Sequence, residues 1–173
     1  MKRRHLMSMG AAALLAGCGF QLRKAPDFAF SSVVVNAPAS SPLAAELRRS
    51  LAADGKLQVL DAGALAAPAG APAQPAGRVV FDLLQEQRDK QVVGKNTQGQ
   101  VVEYTLRSRV HFRLRTLQGR ELIPDTELVL SRDITFNESL VLAKDAEEAL
   151  LYRDMQTDMV QQLMRRLAAV KSI

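Results

Sequence analysis

The chain has 173 residues, 47% of them apolar, with 23 Lys and Arg against 18 Asp and Glu, two histidines and one cysteine. A lone thiol cannot close an internal disulfide, so a disulfide framework is excluded, and so few His and Cys residues leave no cluster with zinc-ligand spacing. Only the formal charge of +5 would favour nucleic acid as a partner, and much of it lies in the first few residues.

Lys2, Arg3 and Arg4 form a basic head, followed by an uncharged run from Leu6 to Gly17 rich in Leu, Ala and Met. The run is shorter than the ~20 apolar residues of a membrane span and has the form of a secretory signal peptide, residues 1–17. Leu15-Ala16-Gly17-Cys18 has the pattern of a bacterial lipobox, in which Cys18 receives diacylglycerol, becomes the first residue after cleavage and is N-acylated. Each buried methylene contributes ~0.8 kcal/mol, and more than one chain gives stable anchoring. Gly19 stands where an Asp would resemble the inner-membrane retention signal, so the expected address is the periplasmic side of the outer membrane. The leader carries three of the 23 basic residues and none of the 18 acids, so the excess falls to +2 and nucleic acid is not expected as a partner. Residues 18–173 have the size of a single domain.

Ser31 to Asn36, SSVVVN, is β-branched and bounded by turn formers, which predicts a first strand. A helix follows: Ser41 can cap it, Pro42 fits its first position, Leu43, Leu47 and Leu51 recur every four residues, and Gly55 offers a left-handed stop. Lys56 to Asp61 predicts a short second strand. Asp61 to Gly77, rich in Ala, Pro and Gly without periodicity, predicts a flexible surface loop.

From Arg78 to Phe136 the pattern has period two, predicting three long strands in an antiparallel meander, with turns at Gly94 to Gly99 and Gln118 to Gly119. In the middle strand Tyr104, Leu106, Val110, Phe112 and Leu114 share one face, and Arg107, Arg109, His111, Arg113 and Arg115 share the other. A long helix over Asp145 to Val170 closes the chain. Its stripe of Leu151, Met155, Met159, Leu163 and Leu167 is expected to pack on the sheet.

No reacting constellation can be assembled. His111 is the one histidine beyond the leader, strand alternation puts Ser108 on the opposite face from it, and no nucleophile-elbow glycines surround Ser108 or Ser131. Carboxylates are scattered, and Gly94 and Gly99 lack the Lys-Ser/Thr of a phosphate loop, so neither catalysis, metal nor cofactor is expected beyond the lipid on Cys18. The arginine ladder has two readings. It can be a charge lattice with Asp82 and Glu86 before it and Asp125, Glu127 and Asp133 after it. Alternatively, Arg107, Arg109 and Arg113 face an anionic ligand, since guanidinium forks match phosphate oxygens.

LAGCGFQLR at the lipobox, GQVVEYTLR opening the long strand, and RDITFNESLVLAKDAEEALLYRDMQTDMVQQLMRRL together resemble the lipopolysaccharide-assembly lipoproteins of Gram-negative outer membranes, the LptE or RlpB family. The resemblance runs from Cys18 to Leu167. It implies an α/β domain of α+β type, two helices on one face of a mostly antiparallel sheet, that plugs the LptD β-barrel, aids its assembly and binds lipopolysaccharide without catalysis. By this resemblance Lys144, in Leu142-Ala143-Lys144-Asp145, contacts lipopolysaccharide. A second basic position is expected before GQVVEY, but Thr97 and Gln98 occupy it and Lys95 is the nearest charge. Phe136 and Asn137, in the aromatic turn before the last helix, are expected to touch the barrel wall or order the loop. The other reading is an accessory lipoprotein of a different outer-membrane assembly machine.

Overall fold

A computed structural model describes residues 26–53, 55–66 and 77–173. The leader, Cys18 and residues 67–76 of the Ala/Pro/Gly loop lie outside the described residues.

Strand β1 (Ser32–Asn36) is the expected β-branched run, buried over its first four residues. Helix α1 (Pro42–Ala52) begins where Ser41 Oγ accepts the amide of Ala44 at 3.0 Å, and Leu43, Ala44, Leu47 and Leu51 form its buried stripe. Beyond it Gly55 takes the left-handed conformation, φ +65°. Strand β2 (Gln58–Asp61) follows, and the expected loop opens instead with a 3-10 turn, Ala62–Ala66. The meander consists of β3 (Arg78–Lys95), β4 (Val101–Thr116) and β5 (Glu121–Thr135).

The sheet order is β2-β1-β3-β4-β5. β1 runs parallel to both β2 and β3, because α1 carries the chain back before β2 begins; the three long strands are antiparallel. Helix α2 (Val141–Ala168) crosses the same face as α1, and between the helices and the sheet lies the main core. Val33, Val35, Phe81, Val110, Phe112 and Leu114 meet Leu47 and Leu51 of α1 and Met159, Leu163 and Leu167 of α2. Leu106, Ile134 and Met155 form a smaller cluster further along the meander.

Two expectations are corrected. β3 carries a bulge between Leu83 and Gln85, and the extra residue reverses which side chains face the helices. Asp82 therefore faces Arg113 on the ladder side, whereas Glu86 pairs with Val110 on the helix side and accepts the Ser41 hydroxyl at 2.6 Å. Glu86 is not part of the lattice. The last helix starts at Val141, four residues before the expected Asp145, led in by a 3-10 turn over Glu138–Leu140 that Asn137 caps through the Ser139 amide at 2.9 Å. Leu142 is 87% exposed, so it breaks the apolar periodicity that otherwise marks the helix, and Lys144 sits in the first helical turn rather than in a preceding loop.

Ser41 joins α1 to β3 through its two bonds, so Ser41→Ala should lower stability by ~1 kcal/mol, the usual cost of a lost N-cap, read as a lower urea midpoint with unchanged slope.

Candidate functional site

The sheet face turned away from α1 and α2 carries the arginine ladder; it is half-exposed along β4 but covered toward β1, where Val34 and Val80 are fully buried. Alternation along β4 is strict: Leu106, Ser108, Val110, Phe112 and Leu114 are buried, while Arg107, Arg109, His111, Arg113 and Arg115 are half-buried. The flanking strands neutralise most of the ladder. Arg113 Nε and Arg115 Nε donate to Asp82 Oδ2 at 2.8 and 2.7 Å, and Asn36 Nδ2 donates to Asp82 Oδ1 at 2.7 Å. Arg109 Nε lies 2.9 Å from Glu127, and His111 Nδ1 lies 3.2 Å from Asp125. Asp133 accepts the Thr105 hydroxyl. Arg107 makes no ion pair among the described residues, although Asp89 stands opposite it in register.

The Asp82 side chain is only 4% exposed. Burial pushes its carboxyl up, but the hydrogen bonds from Arg115, Asn36 and Arg113 together outweigh that and hold it below the ordinary carboxylate value. A carboxylate so held stays charged and fixes two arginines to the sheet.

A second surface lies at the tip of the meander, where the β3–β4 turn meets the start of α2. Asn96 Oδ1 accepts the amides of Gln98 and Gln100, and Gly99 turns the chain with φ +82°. The Phe136 amide donates to the Val102 carbonyl at 2.8 Å, and the Phe136 ring meets Tyr104 edge-on, with centroids 5.4 Å apart. Between turn and bend lies an open cavity of about 310 Å³. Lys144 Nζ donates to Thr135 Oγ1 at 3.1 Å and to Glu147 at 2.8 Å, which pins it against the end of β5. Lys95 ends β3 opposite Val101. Val92, Val93, Val102, Leu140, Val141 and Leu142 are exposed in the segments that form this end.

The five candidate lipopolysaccharide-binding cations thus lie on two surfaces. Lys95 and Lys144 share the tip, with Phe136 and Asn137 between them in the bend before α2. Arg113 faces Asp82, 13 positions down β3 from Lys95, a separation of about 43 Å at ~3.3 Å per residue, and it lies on the face away from the helices. One bound headgroup cannot touch both. Sequence reasoning missed the exposed Leu140-Val141-Leu142 run, whose only signal was an apolar segment out of phase with the helix stripe. It also missed the bonds from β3 to α2, Arg88 to Gln156 and Lys90 to Glu148, which depend on the bulge.

A family model for lipopolysaccharide assembly, LptE, matches residues 29–167, which span β1 through α2. The chain belongs to the LptE family. This LptE-family chain is also similar to solved structures. The solution structure of an uncharacterized lipoprotein B from Nitrosomonas europaea is 29% identical, with 87% of this chain and 91% of that one covered and a TM-score of 0.66. The rare lipoprotein B of Shewanella oneidensis is 17% identical, with 80% of this chain and 94% of that one covered and a TM-score of 0.63. A minor lipoprotein of Acinetobacter baumannii is 17% identical, with 83% and 94% covered and a TM-score of 0.61. These last two share the fold. No curated protein matches the sequence. Among the described residues no group of His, Cys, Asp and Glu is arranged to hold a metal, and no helix is long and apolar enough to cross a membrane.

Proposed function

We propose that this LptE-family protein is a lipoprotein anchored through Cys18 to the periplasmic side of the outer membrane, where it plugs the LptD β-barrel as a heterodimer, aids barrel assembly and binds lipopolysaccharide. Its role is structural and ligand-handling rather than catalytic. The observation that carries the plug reading is the ladder face of β4 and β5, which neither α1 nor α2 covers. Arg109, Arg113 and Arg115 are ion-paired with Glu127 and Asp82, and His111 contacts Asp125, giving a wide polar surface suited to the polar interior of a large barrel. In this reading Arg109 and Arg113 serve chiefly to hold that surface in shape, and Arg107, with no ion pair of its own, is the ladder arginine free to meet an anion. Phe136 and Asn137 are barrel-facing or order the bend.

The test is extraction of native outer membranes in mild detergent with an affinity tag after Ile173. Near-equimolar recovery of a large β-barrel of the LptD type is expected; recovery with a different assembly complex would favour the accessory-lipoprotein reading.

Lipopolysaccharide binding is assigned to the tip, where Lys144 and Lys95 offer charge and the exposed Leu140 to Leu142 run offers apolar contact for acyl chains. Lys144→Asp should weaken lipopolysaccharide binding about tenfold, the cost of losing one charge-assisted contact. The acid would stand beside Glu147 but at the favourable end of the helix dipole, so stability should change by less than ~1 kcal/mol. Unchanged binding to immobilised lipopolysaccharide would remove Lys144 from the site.

A further inference from the structure

The cavity at the tip is built from groups that suit a neutral sugar rather than a phosphate. Its walls come from Asn96, Gln100, Val101 and Val102 on one side and Phe136 to Ser139 on the other. No Lys or Arg lines it, and the one charged wall residue, Glu138, is exposed and makes no ion pair among the described residues. A bare carboxylate opposes a phosphate dianion but accepts hydroxyl hydrogens in charge-assisted bonds. The amides add the complementary donors. Gln100 Oε1 is occupied by Asn96 Nδ2 at 2.8 Å and Asn137 Oδ1 by the Ser139 amide at 2.9 Å, which leaves the NH₂ groups of Gln100 and Asn137 for a ligand. The edge-on contact with Tyr104 fixes the Phe136 ring, and Phe136 and Val102 supply the apolar wall that the C–H face of a pyranose needs. At about 310 Å³ the cavity lies at the small end of ligand sites.

The geometry points to a saccharide subsite in this cavity, with Glu138 accepting and Gln100 and Asn137 donating to vicinal hydroxyls of an uncharged pyranose. This rests on the glycolipid reading above and deepens it: the sugar enters the cavity, while phosphate is left to the lysines outside it.

Charge reversal at Glu138 gives the two ligand classes opposite signs. The full lipoprotein in detergent micelles is titrated with N,N′-diacetylchitobiose and, separately, with inorganic phosphate, following the backbone amide resonances of Gln100, Asn137 and Ser139. The disaccharide should shift these resonances and phosphate should not. Glu138→Lys should weaken the disaccharide about tenfold, the loss expected for hydrogen bonds to a charged acceptor, whereas Lys144→Asp should leave it unchanged. Whole lipopolysaccharide, measured in parallel, separates this inference from the function it builds on. If lipopolysaccharide binds but Glu138→Lys tightens it, or phosphate alone moves the three amides, the saccharide subsite is wrong and the glycolipid reading survives. If the disaccharide binds as described and lipopolysaccharide does not, the subsite stands and the glycolipid reading fails. Absence of any disaccharide shift overturns the proposal.

Discussion

Replacing Asp82 by alanine should destabilise the fold by about 2–3 kcal/mol. Removing one member of a buried, hydrogen-bonded charge pair costs ~3–5 kcal/mol, because the partner is left desolvated and unpaired. Here the carboxylate is buried, but the Arg113 and Arg115 side chains are 38% and 23% exposed, so both can recover some hydration and the cost is reduced. Three donors lose their acceptor together, those of Asn36, Arg113 and Arg115, and the two guanidinium groups are left as like charges side by side. The same cluster sets a pH dependence. The folded-state carboxyl is lowered from 3.8, so its contribution is fully present above pH 3.8 and is lost as pH falls through the still lower folded value. In urea unfolding at a series of pH values, the gap between wild type and Asp82→Asn should be constant from neutral pH to about 4 and narrow below it. A gap of constant size down to pH 2 would show that the carboxylate charge contributes nothing and that only packing was lost.

Phe112→Ala should cost more, about 3–5 kcal/mol, the usual range for deleting a buried phenylalanine. Its ring is fully buried and stacks on Phe81 with centroids 5.6 Å apart and planes inclined by 20°. The two rings are diagonal neighbours across β3 and β4 under the helices, Phe81 standing opposite Leu114 and Phe112 opposite Leu83, so their packing contributes to both the sheet pairing and the docking of α1 and α2. Neighbouring strands are held by their ladders and cannot collapse into the space, which puts the cost toward the upper end. The check is a urea titration in which the midpoint falls and the slope is retained; a change below ~1.5 kcal/mol would mean that the core relaxes around the cavity.

These two sites matter for the function proposed above because they separate what holds the protein together from what it presents. Arg113 and Arg115 are tied to a buried carboxylate, and variants that disturb them will lose function through the fold. Lys144, Glu138 and the exposed Leu140 to Leu142 run sit on the tip, where substitutions change the surface and leave the core untouched.

The sequence by itself determined the element order, the strict two-residue alternation of β4, the cap and stripe of α1 and the stripe of α2, because these depend on side chains a few residues apart. LptE-family membership was legible too, in the combined motifs. What only the tertiary structure decided turns on relations between distant segments. The bulge after Leu83 inverts the parity of β3, and no local pattern announces it, since Leu84 and Gln85 are both exposed; it alone moves Glu86 off the ladder and leaves Asp82 to hold two arginines. The 3-10 turn before α2 begins the helix early enough to take in Lys144. Sequence spacing carries no depth: antiparallel pairing separates Lys95 from Arg113 by most of the length of β3 and brings the turn at Asn96 against the bend at Phe136, a juxtaposition that only the folded ladder creates.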